Sequence, residues 1–223
     1  MSIIIIVCFI LTLVLGLGTI LRRSKLLIDK HQFAFEYREK FIGLANKYFS
    51  TYERYVQNGT VDRELYIWLT KNVNQIQSDL GQIGTMHYVA AFQRYQIPNY
   101  QVVLNTLPKF RDGSIENFDI TSTEDCLIRY IGDLEIDIKA VRKQIKNPVT
   151  WFKEGFQIVI SLPLYLLNWF GVLGDTSFYR VMHSVIYKFI TGVCGLVTFV
   201  SGLVTIIQGK EATVALFKQI FGL

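Results

Sequence analysis

The sequence predicts an all-α membrane protein: an N-terminal transmembrane helix, a cytoplasmic helical bundle or coiled-coil stalk, and a C-terminal transmembrane hairpin. Three observations lead there. The chain of 223 residues is 51% hydrophobic and only 18% charged, with a mean hydropathy of +0.30, too apolar for an ordinary soluble domain of this size. Three uncharged stretches are each long enough to cross a ~30 Å hydrocarbon core as a helix. Between the first and the second, apolar residues recur at steps of three and four, the helical period. The expected segments are 1–22 as the first membrane helix, 23–147 as the cytoplasmic helical domain, 148–210 as the membrane hairpin and 211–223 as an amphipathic tail.

The first stretch, 3–21, has 19 uncharged and nearly all aliphatic residues. Arg22, Arg23 and Lys25 follow it, whereas a signal peptide places its positive charge before the apolar run. A retained anchor with its N-terminus outside is expected, because Lys and Arg stay on the cytoplasmic side. The second, 155–174, contains Pro163 and Asn168 and is bracketed by Trp151, Phe152, Trp169 and Phe170, aromatics suited to the headgroup level. Pro163 removes a backbone donor and is expected to kink the span; a re-entrant or interfacial helix is the alternative. The third is 189–209.

The formal charge of +5 and a pI near 9.0 leave nucleic acid or a membrane surface as partners. Position decides between them. Residues 22–29 carry a net +2 and 138–154 a net +4, while 30–137 carry 11 basic and 14 acidic residues. The positive charge flanks the spans, so no nucleic-acid partner is expected. The matching topology puts the central region and the tail inside and a short loop at 174–179 outside, with Arg180 and Lys188 as outer-side exceptions. In that arrangement the sequon Asn58-Gly59-Thr60 never meets the glycosylation machinery.

In the central region Phe33, Tyr37, Phe41, Leu44, Tyr48, Tyr52 and Tyr55 lie along one helix face. No Gly or Pro interrupts 21–42, so span and helix are expected to form one rod ending near Asn58-Gly59. A second helix, 61–82, carries the seam Leu65, Leu69, Val73, Ile76, Leu80 and Ile83. A third, 123–146, carries Leu127, Ile131, Leu134, Ile138, Val141 and Ile145 at alternating steps of four and three, a seam expected to serve oligomerisation. Either these seams close within one chain as a bundle or they close only between subunits. Thr121 with Glu124 suggests a capping box, and Asn147-Pro148 stops the helix. The stretch 84–120 is less regular, with turn signals at Pro98, Pro108 and Asp112-Gly113, a short strand at 100–104, and His87 on a short helix.

Chemistry is sparse. His31, His87 and His183 are isolated, and Cys8, Cys126 and Cys194 lack the paired spacing of a zinc site or a disulfide framework. Asp133, Glu135 and Asp137 form an acidic cluster of which only Asp133 and Asp137 share a helix face, and Arg129, four residues before Asp133, and Lys139, four after Glu135, make it a salt-bridged surface. No phosphate loop, nucleophile elbow or nucleophile–base pair is present, so neither enzymatic activity nor a cofactor is expected.

The most distinctive pattern is in the third span, where Thr191, Gly195, Thr198, Gly202, Thr205 and Gly209 follow one another at steps of four and three. One helix face is all Thr and Gly. Small residues let helices approach closely in lipid, so the face either packs helices or lines a narrow polar path among subunits, with Leu196, Phe199, Leu203 and Ile206 facing lipid or neighbours. Thr12, Gly16 and Thr19 echo it in the first span. In the tail, Val214, Phe217, Ile220 and Phe221 lie roughly opposite Lys218. The expected protein is a homo-oligomeric, pore-like or membrane-permeabilising effector of a bacterial-type inner membrane, controlled by its cytoplasmic helices. The alternative is an anchor or scaffold that recruits a soluble cytoplasmic partner.

Overall fold

The computed structural model describes residues 2–50, 61–89, 96–172 and 174–208. The sequon at Asn58-Gly59-Thr60, Tyr52, Tyr55, Gly209 and the tail 211–223 lie outside the described residues. The chain is mostly helical: α1 (Ser2–Ser50), α2 (Arg63–Leu80), β1 (Thr85–Val89), β2 (Gln96–Gln101), α3 (Val102–Asp112), α4 (Asn117–Ile145), α5 (Pro148–Trp169), α6 (Asp175–His183) and α7 (Val185–Gln208). Two compact units form, one from Met1–Lys25 with Lys139–Leu223, the other from Leu26–Ile138.

The unit Leu26–Ile138 has its own core. The predicted face of α1 supplies Tyr37, Phe41, Leu44 and Tyr48, fully or almost fully buried, and these meet Leu69 and Ile76 of α2, Leu107 and Phe110 of α3 and Leu127 of α4. The Phe110 ring stands edge-on to both Phe41 and Tyr48, with centroids 6.0 and 5.5 Å away, an arrangement that adds to the area term. Burial raises the Tyr37 phenol well above its ordinary range, and its hydroxyl donates to the Leu69 carbonyl. Burial, with the charge of Asp79, pushes Tyr130 up to about 12. Asp62 caps α2 by accepting the amides of Glu64 and Leu65. Its carboxyl is held below the usual range, first by the hydrogen bond from Lys47 and then by those amides, as hydrogen bonds to a charged form require.

Between α2 and α4 the structure differs from the expectation. An antiparallel hairpin pairs Thr85 with Gln101 and Val89 with Gln96, with a register irregularity between Met86 and Tyr88. His87 therefore sits in a strand and not on a short helix. The strand expected at 100–104 ends at Gln101, and Val102 opens α3. The physical reason is a buried glutamine. Gln77, 7% exposed, accepts the Val103 amide at 3.1 Å and the Leu104 amide at 3.4 Å, and donates to the Gly84 carbonyl at 2.9 Å. The Val102 amide donates to the same carbonyl at 2.9 Å. The helix start has no cap from Gln101, so α2 provides one from outside the helix. A Cβ on Gly84 would stand 2.8 Å from both Gln77 Nε2 and Leu80 Cβ.

Helix α4 begins at Asn117, six residues before the predicted start, and the Thr121–Glu124 capping box does not form. Thr121 instead donates to the carbonyls of Asn117 and Phe118, inside the helix, and Glu124 pairs with Arg38. The first turn is held by buried Asp119, which accepts the Glu116 amide at 3.1 Å and the Lys109 ammonium at 2.6 Å. Burial alone would lower the Lys109 pKa, but the bond and charge of Asp119 override it and raise the value. Asp133, Glu135 and Asp137 are exposed, and the His31 imidazole stands 3.7 Å from the Glu135 carboxylate.

In the other unit, Asn147 caps α5 by accepting the Val149 amide, and Pro148 occupies the first turn, where a missing N–H costs nothing. The Trp151 indole donates back to the carbonyls of Gln144 and Ile145. Helix α5 runs through Pro163 without a break and stops at Trp169, five residues before the predicted end of the second span. Gly171, at φ +73°, closes it: Gly171 N–H donates to Asn168 and Val172 N–H to Leu167, the Schellman pattern. The loop expected at 174–179 is largely the short helix α6. Among the described residues one helix is long and apolar enough to cross a membrane, α1, with a mean hydropathy of 1.9; α6 and α7 meet that description only as a pair bent by 56°.

Candidate functional site: the small-residue contacts and the groove between α5 and α7

Helices α1 and α5 touch backbone to backbone. A Cβ on Gly16 would overlap the Trp151 carbonyl oxygen, and a Cβ on Gly155 would overlap the Thr12 carbonyl oxygen. Reciprocal positions one turn apart, 12 with 16 and 151 with 155, make an antiparallel small-residue crossing, the approach that dispersion and weak Cα–H···O contacts favour in lipid. Gly16 belongs to the Thr12, Gly16 and Thr19 pattern that echoes the third span, whereas Gly155 stands in no such pattern.

The Thr/Gly face of α7 divides between two neighbours. Gly195 lies under the Phe156 ring of α5, with a Cβ position 3.1 Å from its edge, and Gly202 lies under Phe9 of α1 at 2.8 Å. Phe9, Phe152 and Phe199 form an aromatic cluster beside them, with centroids 5.1 to 6.2 Å apart. Thr191 is buried and donates within its own helix to the Tyr187 and Lys188 carbonyls. Thr198 is exposed and donates to Cys194. At about 100° per residue, Gly195 and Gly202 project within ~20° of each other and Thr198 stands about 40–60° aside, at the edge of the covered strip. Thr205 continues α7; Gly209 is outside the described residues.

The six residues of the α4 seam are covered to different degrees within one chain. Leu127, Leu134 and Ile138 are buried and Ile131 is half-buried in the unit Leu26–Ile138; Val141 is buried and Ile145 half-buried in the other.

Where glycine leaves α7 without side chains, a cavity opens. The space between α5 and α7 measures about 500 Å3. Phe152, Phe156, Leu196 and Phe199 form its apolar wall, and Thr191, Gly192 and Gly195 its floor; Lys153, Gln157 and Lys188 also border it. The helices run antiparallel, since Phe156 meets Gly195, Phe152 meets Phe199 and the Ser161 and Tyr187 hydroxyls meet at 2.9 Å. Lys153 and Lys188 therefore stand at opposite ends. Neither joins an ion pair among the described residues, where Glu154 is engaged by Arg23 at 3.5 Å.

Among the described residues no cluster of three or more His, Cys, Asp or Glu is placed to hold a metal ion. Cys8, Cys126 and Cys194 are free thiols, and burial raises the Cys126 pKa. Comparison with family models, curated proteins and solved structures finds no match.

Proposed function

We propose that the protein is a non-enzymatic membrane anchor, in which the unit of α1 up to Lys25, α5 and α7 sits in a bilayer and the unit Leu26–Ile138, with the rest of α1, stands on the cytoplasmic side to receive a soluble partner. The observation that carries this reading is the contrast in what each unit leaves exposed. The first presents Leu11, Val14, Leu196 and Val197 at 56 to 67% exposure along its helices, apolar area that water would penalise at about 25 cal/mol per Å². Arg22, Arg23, Lys139, Arg142, Lys143 and Lys146 flank it, in keeping with positive charge held inside. Trp169 and Phe170, 78 and 70% exposed, suit the opposite headgroup level, with α6 lying at that interface. The second unit closes a core of its own and exposes fewer apolar side chains, among them Phe35, Phe118, Ile128 and Ile136, with Ile136 on α4 the most exposed at 65%. Ile136 is therefore the position at which docking of a soluble partner is tested.

A second reading is favoured by Thr198, exposed on the mostly apolar α7: copies assembling through α7 would bring these hydroxyls together and permeabilise the membrane. Two measurements with the full chain separate the readings. An anchor in liposomes retains an entrapped dye, and cross-linking in native membranes joins the wild type, but not Ile136→Asp, to a soluble protein. A pore releases the dye, at a rate lowered several-fold by Thr198→Val. Absence of both cross-link and leakage would overturn both readings.

A further inference from the structure

We propose that the groove between α5 and α7 binds an anionic phospholipid, with one acyl chain along the apolar wall and the phosphodiester at Lys153. The proposal rests on the reading of this unit as embedded in a bilayer. Three properties of the groove select this ligand. Its volume of about 500 Å3 falls within the range of small-molecule sites, which combine an apolar lining with a few polar groups. The wall of Phe152, Phe156 and Leu196 faces a floor left bare at Gly192, whose Cβ position meets nothing within 4 Å, a slot suited to a flexible hydrocarbon chain.

The third property is charge. Lys153 shares its end of the unit with the α4–α5 junction, because the Asn147 cap and the Trp151 indole tie the last turn of α4 to the first of α5. Arg142, Lys143 and Lys146 are exposed at that junction. Among the described residues none of these four cations joins an ion pair, and Glu154, the acid beside Lys153, is already engaged by Arg23. A phosphate brings the missing negative charge to the mouth of an apolar slot. The side chains of the chain's own tail, Lys210 and Lys218 against Glu211, bring no net negative charge, and a second copy of this unit adds further positive charge.

The test uses the purified full chain in detergent, exposed to equal amounts of phosphatidylglycerol and phosphatidylcholine with the same acyl chains, with bound lipid read by native mass spectrometry. The wild type is expected to retain the anionic lipid about fivefold over the zwitterionic one, the effect of roughly one lysine near a headgroup. Lys153→Gln is expected to abolish the preference and Lys188→Gln to leave it. Gly192→Leu is expected to remove the retained lipid without disturbing the helices, because a Cβ there meets no atom within 4 Å. Equal retention of the two lipids by the wild type, a preference that survives Lys153→Gln, or retention that survives Gly192→Leu would overturn the site. A wild type that keeps neither lipid, as a groove filled by its own tail or a second copy would, also overturns it. Alkaline carbonate extraction of native membranes separates the two levels. Release of the protein defeats the bilayer reading, whereas a protein that stays in the membrane without lipid preference defeats the lipid site alone.

Discussion

Gly155→Ala is expected to destabilise the unit of α1, α5 and α7 by about 3 kcal/mol, the upper end for overpacking, with a lower thermal midpoint in detergent and loss of monodispersity. The sign is the informative part. Within a helix Gly to Ala ordinarily stabilises by roughly 0.5–1 kcal/mol. Here the added carbon would overlap the Thr12 carbonyl oxygen, and Gly16→Ala would overlap that of Trp151; backbone on both sides leaves no flexible side chain to yield. Gly18, two residues further along α1, meets nothing within 4 Å of its Cβ position. Gly18→Ala is expected to change stability by no more than about 0.5 kcal/mol, or to raise it. Equal effects at 16, 18 and 155 would show that the close crossing is absent.

The second large effect is expected at Gln77. Gln77→Leu keeps the volume of the side chain but leaves the amides of Val103 and Leu104 without their acceptor and removes one of the two donors to the Gly84 carbonyl. Each such orphan costs about 1–3 kcal/mol, so a loss of about 3 kcal/mol in the unit Leu26–Ile138 is expected. Amide exchange gives a local readout, with the Val103 and Leu104 amides expected to exchange at least tenfold faster than in the wild type. Unchanged protection of both amides would contradict the role assigned to Gln77.

Gln77 also shows where sequence reading stops. The α2 seam is legible because apolar residues at the helical period have one place to go: Leu69, Val73, Ile76 and Leu80 are buried, and Leu65 and Ile83 at its ends are half-buried. A glutamine beside that seam reads as surface, since its burial depends on amides supplied by a segment 26 residues away. The hairpin was hidden for a related reason: Thr85, His87 and Pro98 blur any strand alternation, and the irregularity near Met86 breaks the period of two. The capping box at Thr121 failed because Asp119, in contact with Lys109, starts α4 earlier than local pattern alone suggests. In α5, the glycine at 171 that ends the helix lies inside an apolar run, where hydropathy sees continuity and backbone conformation does not.

The candidate site was legible in part. The Thr/Gly spacing of α7 is a sequence property, but which side chain enters each gap is decided by α1 and α5. Phe9, Phe156 and Gly155 are unremarkable in the sequence and acquire meaning only once three helices are packed together.

We propose that the two units stand in different media, with residues 2–25 of α1, α5 and α7 in the bilayer and residues 26–50 of α1 with α2, α3 and most of α4 on the cytoplasmic side. Labelling by a membrane-impermeant maleimide tests it most directly, in a background where Cys8, Cys126 and Cys194 are replaced by alanine. Thr176→Cys on α6 and Lys71→Cys on α2, both at exposed positions, report the two sides. In intact cells Thr176→Cys is expected to be labelled and Lys71→Cys protected until the membrane is permeabilised. Labelling of both positions from the same side would place α6 and α2 in one compartment and contradict the claim.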